Sequence, residues 1–144
     1  MKNKGVLVTG GSGYLGSHTC VELIEAGYEP IIVDNLSNSE LSAVEGIEKI
    51  TGHKVPFEKV DCCDFDAMDA VFAKYEFNSI IHFAAFKAVG ESVGIPLDYY
   101  RNNLNSLINL LTLMRRHNVE NIVFSSSCTV YGQPDVLPAT APTP

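Results

Sequence analysis

The chain has 144 residues, 46% of them hydrophobic and 19% charged, with a formal net charge of −7. These values are ordinary for one globular α/β domain with a good core. The acidic balance argues against nucleic acid or an anionic membrane as a partner, and no apolar stretch approaches the ~20 residues of a membrane span. Cys20, Cys62, Cys63 and Cys128 show no metal-ligand spacing, so we expect reduced thiols in a cytoplasmic protein and no metal site.

The first predicted element is a strand at residues 6–8, whose continuous apolar side chains indicate burial on both faces. Three glycines spaced G-x-x-G-x-x-G follow, namely Gly10, Gly13 and Gly16, and a helical pattern then opens. Gly10 allows a sharp turn, Gly13 lets backbone N–H groups approach a diphosphate, and Gly16 lets the helix pack close to the sheet. The positive end of that helix favours an anion.

A second buried strand, residues 29–34, ends in Asp34, which follows Gly16 by 18 residues. At this distance from a glycine turn, a carboxylate accepts hydrogen bonds from a ribose diol. The acid should also repel a 2′-phosphate. The two strands and the turn between them therefore predict dinucleotide binding, with NAD favoured over NADP.

The rest of the chain alternates strands and helices. Ser39 is a candidate cap for a helix that carries Leu41, Val44 and Ile47 and closes at Gly52. The further predictions are strands at residues 55–60, 79–84 and 121–125, helices at residues 65–75 and 96–117, and loops at residues 86–92 and 126–132. The long helix has Pro96 in its first turn and an apolar stripe at Leu97, Tyr100, Leu104, Leu107, Leu111 and Met114.

This alternation predicts a Rossmann-like parallel sheet with helices on both faces, truncated at about five strands in the order 3-2-1-4-5. Ligands bind such sheets at the carboxyl ends of the strands, where the unusual polar clusters of this chain fall. We expect a dinucleotide-binding domain at residues 1–132. Four prolines in residues 134–144 make regular structure unfavourable in the tail at residues 133–144.

Several segments together resemble one family. They are TGGSGYLGSH from Thr9, DNLSNS from Asp34, IHFA from Ile81, KAVGES from Lys87 and FSSSCTVYG from Phe124. These segments closely resemble the UDP-glucose 4-epimerases of the extended short-chain dehydrogenase/reductase group, and the resemblance extends over nearly all of residues 6–132. The chain departs from the family's pattern at Ala85, Phe86, Asn105 and Cys128, which are bulkier than the residues expected there.

The resemblance implies a tightly held NAD⁺ that takes a hydride from C4 of a UDP-hexose and returns it to the other face of a rotated 4-keto sugar. Ser127 then matches the serine that hydrogen-bonds O4, as the catalytic residue, and Lys87 and Ser127 border the sugar. It implies a homodimer through the outer face of the helix at residues 96–117. The cofactor-binding positions it implies are Gly10, Gly13, Tyr14, Leu15, Gly16, Asp34, Asn35, Leu36, Ser37, Asn38, Ser39, Asp61, Cys62, Phe83, Ala84, Ala85, Phe86, Lys87, Asn102 and Ser125.

One expected feature of the family has no counterpart in these residues. The family's base is a tyrosine four residues before a lysine, and none of the six tyrosines here is followed by a lysine at that distance. We therefore interpret the sequence as the N-terminal NAD-binding part of an epimerase, inactive alone. Two rival interpretations are a non-catalytic dinucleotide-binding module and another nucleotide-sugar epimerase or dehydratase. A dehydratase needs a carboxylic acid beside the O4 hydroxyl, and residues 126–129 offer none.

Some candidate residues also have an ordinary structural interpretation. Lys87 by itself is typical of a solvated lysine, and Asp61 could cap the following helix. His82 is expected to be a hydrogen-bonded core histidine, since it lies in a buried strand. Cys62 is expected to behave as a small buried hydrophobe.

Overall fold

The computed structural model describes residues 5–127. Strands and helices alternate through most of this part of the chain, as predicted. In chain order the elements are β1 Gly5–Thr9, α1 Tyr14–Glu25, β2 Glu29–Val33, α2 Ser42–Thr51, β3 Phe57–Glu58, α3 Phe65–Lys74, β4 Ser79–His82, α4 Val89–Gly94, α5 Pro96–Arg116 and β5 Asn121–Phe124.

Within residues 5–127 the strands form one parallel sheet in the order β3-β2-β1-β4-β5. β1 lies at the centre and pairs with β2 on one side and β4 on the other. The predicted α/β class, the parallel sheet and the strand order are confirmed. Because the winding direction reverses at β1, the carboxyl ends of β1 and β4 flank a topological switch point, where sheets of this kind bind ligands.

Each face of the sheet is covered by a layer of helices. Leu7 of β1 points into a core formed with α3 and α5, which contribute Met68, Phe72 and Leu110. Its neighbours Val6 and Val8 point to the opposite face. That second core contains Cys20 of α1 and Val44 and Ile47 of α2. The continuous apolar run of β1 thus serves two cores, as predicted for a strand buried on both faces.

Among the described strands, β5 is an edge strand that pairs only with β4. Val123 is 61% exposed and Phe124 is 51% exposed, so neither face of β5 is well covered. The strand order 3-2-1-4-5 expected from the sequence also places the fifth strand at an edge. This edge leaves apolar side chains and one row of backbone groups without cover from residues 5–127.

The predicted apolar stripe of α5 is mostly exposed and is not the face that packs on the core. Of its six residues, Leu97, Tyr100, Leu104 and Leu111 are exposed, Leu107 is half-buried and Met114 is buried. The side of α5 that packs on the sheet carries Ser106, Leu110, Leu113 and Met114. Periodicity identifies an apolar face but not what covers it, and α5 has apolar residues on two sides.

Three local predictions were wrong. Ser39 does not cap α2, whose N-cap position is Leu41 without a side-chain bond, because the Ser39 hydroxyl instead donates to Asp34. The third strand covers only Phe57–Glu58, not residues 55–60. Residues 86–92 are not all loop, because α4 begins at Val89. Two glycines within its six residues hid this helix from the sequence pattern.

The other predicted bounds agree to within about two residues, which is the usual uncertainty of element ends. No helix in residues 5–127 is long and apolar enough to cross a bilayer. The predicted boundary between residues 132 and 133, the proline-rich tail and Cys128 lie outside the described residues.

Candidate functional site

The turn after β1 depends on Gly10. Its φ of +69° is in the left-handed region, and its N–H donates to the Val33 carbonyl of β2 at 2.8 Å. A Cβ at this position would lie 2.8 Å from the backbone nitrogen of Ala84, which follows β4. Gly10 therefore brings the chain ends of β1, β2 and β4 together at one point, and no larger residue fits there.

Gly16 lets α1 begin directly against that turn. A Cβ on Gly16 would collide with the Gly10 carbonyl oxygen and would lie 2.7 Å from Gly11 Cα. Gly13 is the N-cap of α1 and has no side chain to occupy the first N–H groups of the helix. The predicted roles of Gly10 and Gly16 in packing agree with this geometry. The open helix N-terminus, flanked by exposed Tyr14 and Leu15, can accept an anion.

Gly11 also belongs to this turn, although the sequence analysis did not select it. A Cβ on Gly11 would lie 2.8 Å from Ile32 Cγ2 and 2.9 Å from the Val8 carbonyl oxygen. The signal for it is its position next to Gly10, since a pair of glycines indicates backbone packed against backbone or a neighbouring strand.

Asp34 lies beside the glycine turn and is only 8% exposed. Its Oδ2 accepts a hydrogen bond from the Ser12 N–H at 3.2 Å. Its Oδ1 accepts from the Leu36 N–H at 2.9 Å and from the Ser39 hydroxyl at 2.9 Å. The hydroxyls of Ser12 and Ser39 are 2.9 Å apart. The carboxylate is therefore oriented by three donors from both sides of the crevice, and Ser12 is a site residue that the sequence pattern did not identify.

The loop after β2 is joined to the end of the third strand. The Asn35 amide donates to Asp61 Oδ2 at 3.0 Å, and Leu36 has a φ of +59°. Asp61 also accepts from the Cys63 N–H at 2.8 Å. It does not cap α3, because Asp64 does so by accepting from the Ala67 N–H. The predicted residues Asn35, Leu36 and Asp61 thus lie together, with Ser37 and Asn38 exposed in the same loop.

Cys62 lies under this loop and is buried. Burial, followed by the charges of Asp61 and other nearby groups, raises the pKa of the Cys62 thiol to about 12. The thiol is therefore protonated and unreactive at neutral pH. The backbone carbonyl of Cys62 accepts a hydrogen bond from the Asn109 side-chain amide of α5 at 3.0 Å. The expectation that Cys62 acts as a small buried group agrees with this.

At the end of β4, His82 is buried beneath the crevice. Its Nδ1 lies 2.6 Å from the Thr9 hydroxyl, which joins the last residues of β1 and β4. Burial lowers the pKa of His82 to about 4, so the ring is neutral at pH 7 and shares one hydrogen bond with the Thr9 hydroxyl. His82 is a hydrogen-bonded core histidine, as expected.

The segment after β4 carries most of the remaining predicted residues. Phe83 donates its N–H to the Thr9 carbonyl at 3.0 Å, and Ala84 is next to Gly10. Ala85, Phe86 and Lys87 are exposed at the mouth of the crevice. Asn102, on the facing side of α5, is half-buried and donates to the Asn103 side chain at 2.9 Å.

Ser125 and Ser127 follow β5, which ends at the same edge of the sheet. The Ser125 N–H donates to the His82 carbonyl at 3.2 Å, and both serines are exposed. The sequence-predicted residues thus share the carboxyl edge of the sheet. A groove lined by Gly5, Tyr28, Glu29 and neighbouring residues lies at the opposite, amino edge, and none of the predicted site residues lines it.

Comparison with known proteins identifies the family of this chain. The model of the NAD dependent epimerase/dehydratase family matches residues 6–144. The chain belongs to this family. The chain is 57% identical over 139 residues to the UDP-glucose 4-epimerase of Schizosaccharomyces pombe, covering 96% of this chain and 39% of that protein. It is 52% identical over 139 residues to the UDP-glucose 4-epimerase of Homo sapiens, covering 92% and 40%.

Solved structures of this family agree. The UDP-glucose 4-epimerase of Bifidobacterium longum, crystallised in complex with NAD⁺ and UDP, superposes with a TM-score of 0.92 at 51% identity. The match covers 97% of this chain and 42% of that one. A UDP-glucose 4-epimerase from Brucella ovis in complex with NAD gives a TM-score of 0.82 at 41% identity. This epimerase/dehydratase chain spans about 40% of the length of the relatives it matches.

Proposed function

We propose that this chain is the N-terminal NAD-binding part of a UDP-glucose 4-epimerase, an enzyme that interconverts UDP-glucose and UDP-galactose through a 4-keto sugar. The observation that carries the proposal is the contact of Asp34 with the glycine turn through the Ser12 N–H, at 3.2 Å. Relatives that are 52–57% identical and bear the epimerase name support it.

The residues present fit a dinucleotide. Gly10 and Gly16 let the turn pack tightly against Ala84 and α1, and Gly13 at the N-cap leaves the start of α1 open to a diphosphate. Asp34 has about four acceptor positions, and three are used by Ser12, Leu36 and Ser39. One position, on Oδ2, remains for a ribose hydroxyl. A carboxylate in that place disfavours a 2′-phosphate, so NAD rather than NADP is the expected ligand.

The other predicted residues would surround the nicotinamide half and the sugar. Bound NAD⁺ supplies a hydride acceptor for C4 of the sugar. Ser127 can donate to or accept from O4, because a hydroxyl does both. Lys87, exposed at the crevice mouth, can reach a negatively charged or hydroxyl-rich ligand. Phe83, Ala84, Asn102 and Ser125 would line the ribose side.

We propose further that the 144 residues bind the cofactor without epimerising a sugar by themselves, because no tyrosine here is followed by a lysine four residues later. The same observation favours the alternative of a non-catalytic dinucleotide-binding module. The two differ in sugar binding, since only a part of an epimerase needs Lys87 and Ser127 to face a UDP-hexose.

We also propose a homodimer and a cytoplasmic location. The outer face of α5 exposes Leu97, Tyr100, Leu104, Ile108 and Leu111 in one stripe, which a second copy could cover by helix packing. Cys20, Cys62 and Cys63 are free thiols, which suits a reducing compartment.

The direct test is cofactor binding by the purified chain. Heating the protein and assaying the supernatant should release NAD that co-purified with it, and calorimetry with the NAD-free protein should show binding of NAD in preference to NADP. A negative control is Gly16→Val, whose side chain would collide with the Gly10 carbonyl oxygen and displace α1 from the turn, and which should abolish both signals. If a folded wild-type chain binds neither dinucleotide, the proposed function is wrong.

A further inference from the structure

The segment that carries Lys87 buries none of its side chains in the core. Residues 85–91 are all exposed, although they leave the buried end of β4 and lead into α4. A segment without buried apolar contacts has little intrinsic order. Its position must therefore come from contacts outside the core, and these contacts are made with α5.

Asn103 of α5 makes two bonds to one residue of this segment. Its Oδ1 accepts from the Phe86 N–H at 2.8 Å, and its Nδ2 donates to the Phe86 carbonyl at 3.0 Å. This pairing imitates the hydrogen bonds of a neighbouring strand. The same Oδ1 accepts from the amide of Asn102 at 2.9 Å, so one side chain orients both the segment and a predicted cofactor contact.

Tyr99 makes the second attachment, one helical turn before Asn103. Its hydroxyl accepts from the Ala88 N–H at 3.1 Å and donates to the Glu91 carboxylate at 2.6 Å. Its ring lies 5.4 Å from the ring of Phe86, centroid to centroid. Tyr99 and Asn103 are four residues apart and thus on the same side of α5.

These two attachments are on either side of Lys87. Asn103 holds the backbone of Phe86, and Tyr99 holds the backbone of Ala88. The intervening residue has its backbone fixed at both ends, while its side chain is exposed. A lysine on an unattached loop loses both backbone and side-chain freedom when it binds a ligand, and this loss has a large entropy cost. Fixing the backbone before binding reduces that cost.

We propose that Asn103 and Tyr99 are positioning residues that place Lys87 and the segment around it over the nicotinamide half of the bound dinucleotide. This inference rests on the proposed function, because it assumes that the segment contacts that half. Asn103 and Tyr99 need not touch the ligand themselves. They act through the backbone of Phe86 and Ala88.

The first test measures the attachment itself. Asn103→Ala and Tyr99→Phe each remove the attaching groups and leave the helix intact. Matched controls are Asn105→Ala, an exposed asparagine two residues further along α5, and Tyr28→Phe, at the opposite edge of the sheet. Hydrogen exchange at residues 86–91 should accelerate by roughly five- to tenfold in Asn103→Ala and Tyr99→Phe. Exchange at β1 and β4 should be unchanged in all four variants.

The second test separates positioning from simple stability. ADP should contact only the glycine turn and the Asp34 loop, whereas NAD should also contact the Lys87 segment. Calorimetry should show that Asn103→Ala weakens NAD binding by roughly fivefold or more, as expected for lost hydrogen bonds. ADP binding should be unchanged, as should both affinities in Asn105→Ala.

The outcomes are distinct. Unchanged exchange at residues 86–91 overturns the attachment. Faster exchange with an unchanged ratio of NAD to ADP affinity overturns the positioning role. A wild-type chain that is folded but binds neither ligand contradicts the proposed function and with it the positioning role, while the exchange rates still decide whether Asn103 and Tyr99 fix the segment.

Discussion

The backbone N–H of Ser12 donates to the carboxylate of Asp34 at 3.2 Å, joining the glycine turn to a loop that lies 22 residues further along the chain. The bond makes the acid part of the turn before any ligand is present. Because Leu36 and Ser39 also donate to this carboxylate, the acceptor for a ribose hydroxyl is oriented in advance, which lowers the entropy cost of binding.

Asp34→Asn should therefore weaken the affinity for NAD by about tenfold or more, since either orientation of the amide places its NH₂ group against a protein donor. The ratio of NADP to NAD affinity should rise, because the negative charge near the 2′-position is gone. Calorimetry with both dinucleotides measures these effects.

Asp98→Asn is the control for Asp34→Asn. It makes the same change in net charge at an exposed residue of α5. It should leave both affinities unaltered. An unchanged preference in Asp34→Asn, or equal affinity of the wild-type chain for the two dinucleotides, would contradict the role of this acid.

Gly16→Ala should destabilise the fold, because the new methyl group collides with the Gly10 carbonyl and with Gly11. Overpacking of this kind costs ~1–3 kcal/mol, which would lower the midpoint of thermal unfolding by several degrees. Gly46→Ala is the matched control. A Cβ at Gly46, inside α2, meets nothing within 4 Å, so alanine there should be neutral or stabilise by ~0.5–1 kcal/mol. Similar midpoints for the two variants would contradict the proposed close packing of α1.

Much of the fold could be predicted from short-range patterns. The apolar run of β1 and the glycine spacing indicate a strand, a turn and a helix, and polar residues such as Asp34, Asp61 and Ser125 lie close to the ends of later strands. Parallel pairing and right-handed crossovers then leave few sheet orders to consider. The observed order β3-β2-β1-β4-β5 is the one expected.

The features that could not be predicted depend on contacts between distant parts of the chain. Ser39 had the sequence context of a helix cap, but its hydroxyl donates to Asp34 instead. The apolar periodicity of α5 identified an apolar face of the helix but not the surface that covers it. Asn103 meets Phe86 across 17 residues, and an asparagine in a helix gives no local signal of such a bond.

His82 predicts a dependence of stability on pH. Burial lowers its pKa to about 4 in the folded chain, against ~6.5 for an unfolded histidine. The unfolded state then binds more protons between these two values. The free energy of unfolding should therefore fall as the pH drops from about 6.5 to 4, by ~3 kcal/mol from this group.

The variant that tests this effect is His82→Gln, which cannot titrate but can still form a hydrogen bond with Thr9. Denaturant unfolding at pH 4.5, 5.5 and 7 should show a smaller loss of stability in His82→Gln than in the wild-type chain. Thr9→Val, which removes the hydroxyl of the 2.6 Å bond, should retain the dependence on pH. Parallel curves for His82→Gln and the wild type would show that His82 titrates equally in both states.

The exposed apolar stripe of α5 predicts that the chain forms a dimer. It also predicts that one charged residue introduced into the stripe disrupts that dimer. Leu104 is 52% exposed in the middle of the stripe, so Leu104→Arg should convert the dimer to a monomer in sedimentation experiments by placing a desolvated cation in the contact. Asn105→Arg adds the same charge beside the stripe and should leave the dimer in place. A wild-type chain that sediments as a monomer at high concentration would contradict this interface.

The 144-residue chain should bind NAD yet show no epimerisation of UDP-galactose. Removing a hydride from C4 requires a group that takes the O4 proton near neutral pH. Ser127 can share a hydrogen bond with O4, but a neutral hydroxyl is not a base at that pH. Two tyrosines are less available as a base near neutral pH, because their pKa values are raised rather than lowered. A hydrogen bond to Glu58 raises the pKa of Tyr75, and one to Glu91 raises the pKa of Tyr99.

The measurement is a coupled assay of UDP-glucose formation on a preparation whose NAD content has been determined. Ordinary enzymes turn over at about 1–1,000 per second, and the expected rate here is indistinguishable from that of Ser127→Ala. Turnover in the ordinary range that Ser127→Ala abolishes would mean that a base exists within these residues. The proton would then have to pass through a group other than a tyrosine paired with a lysine.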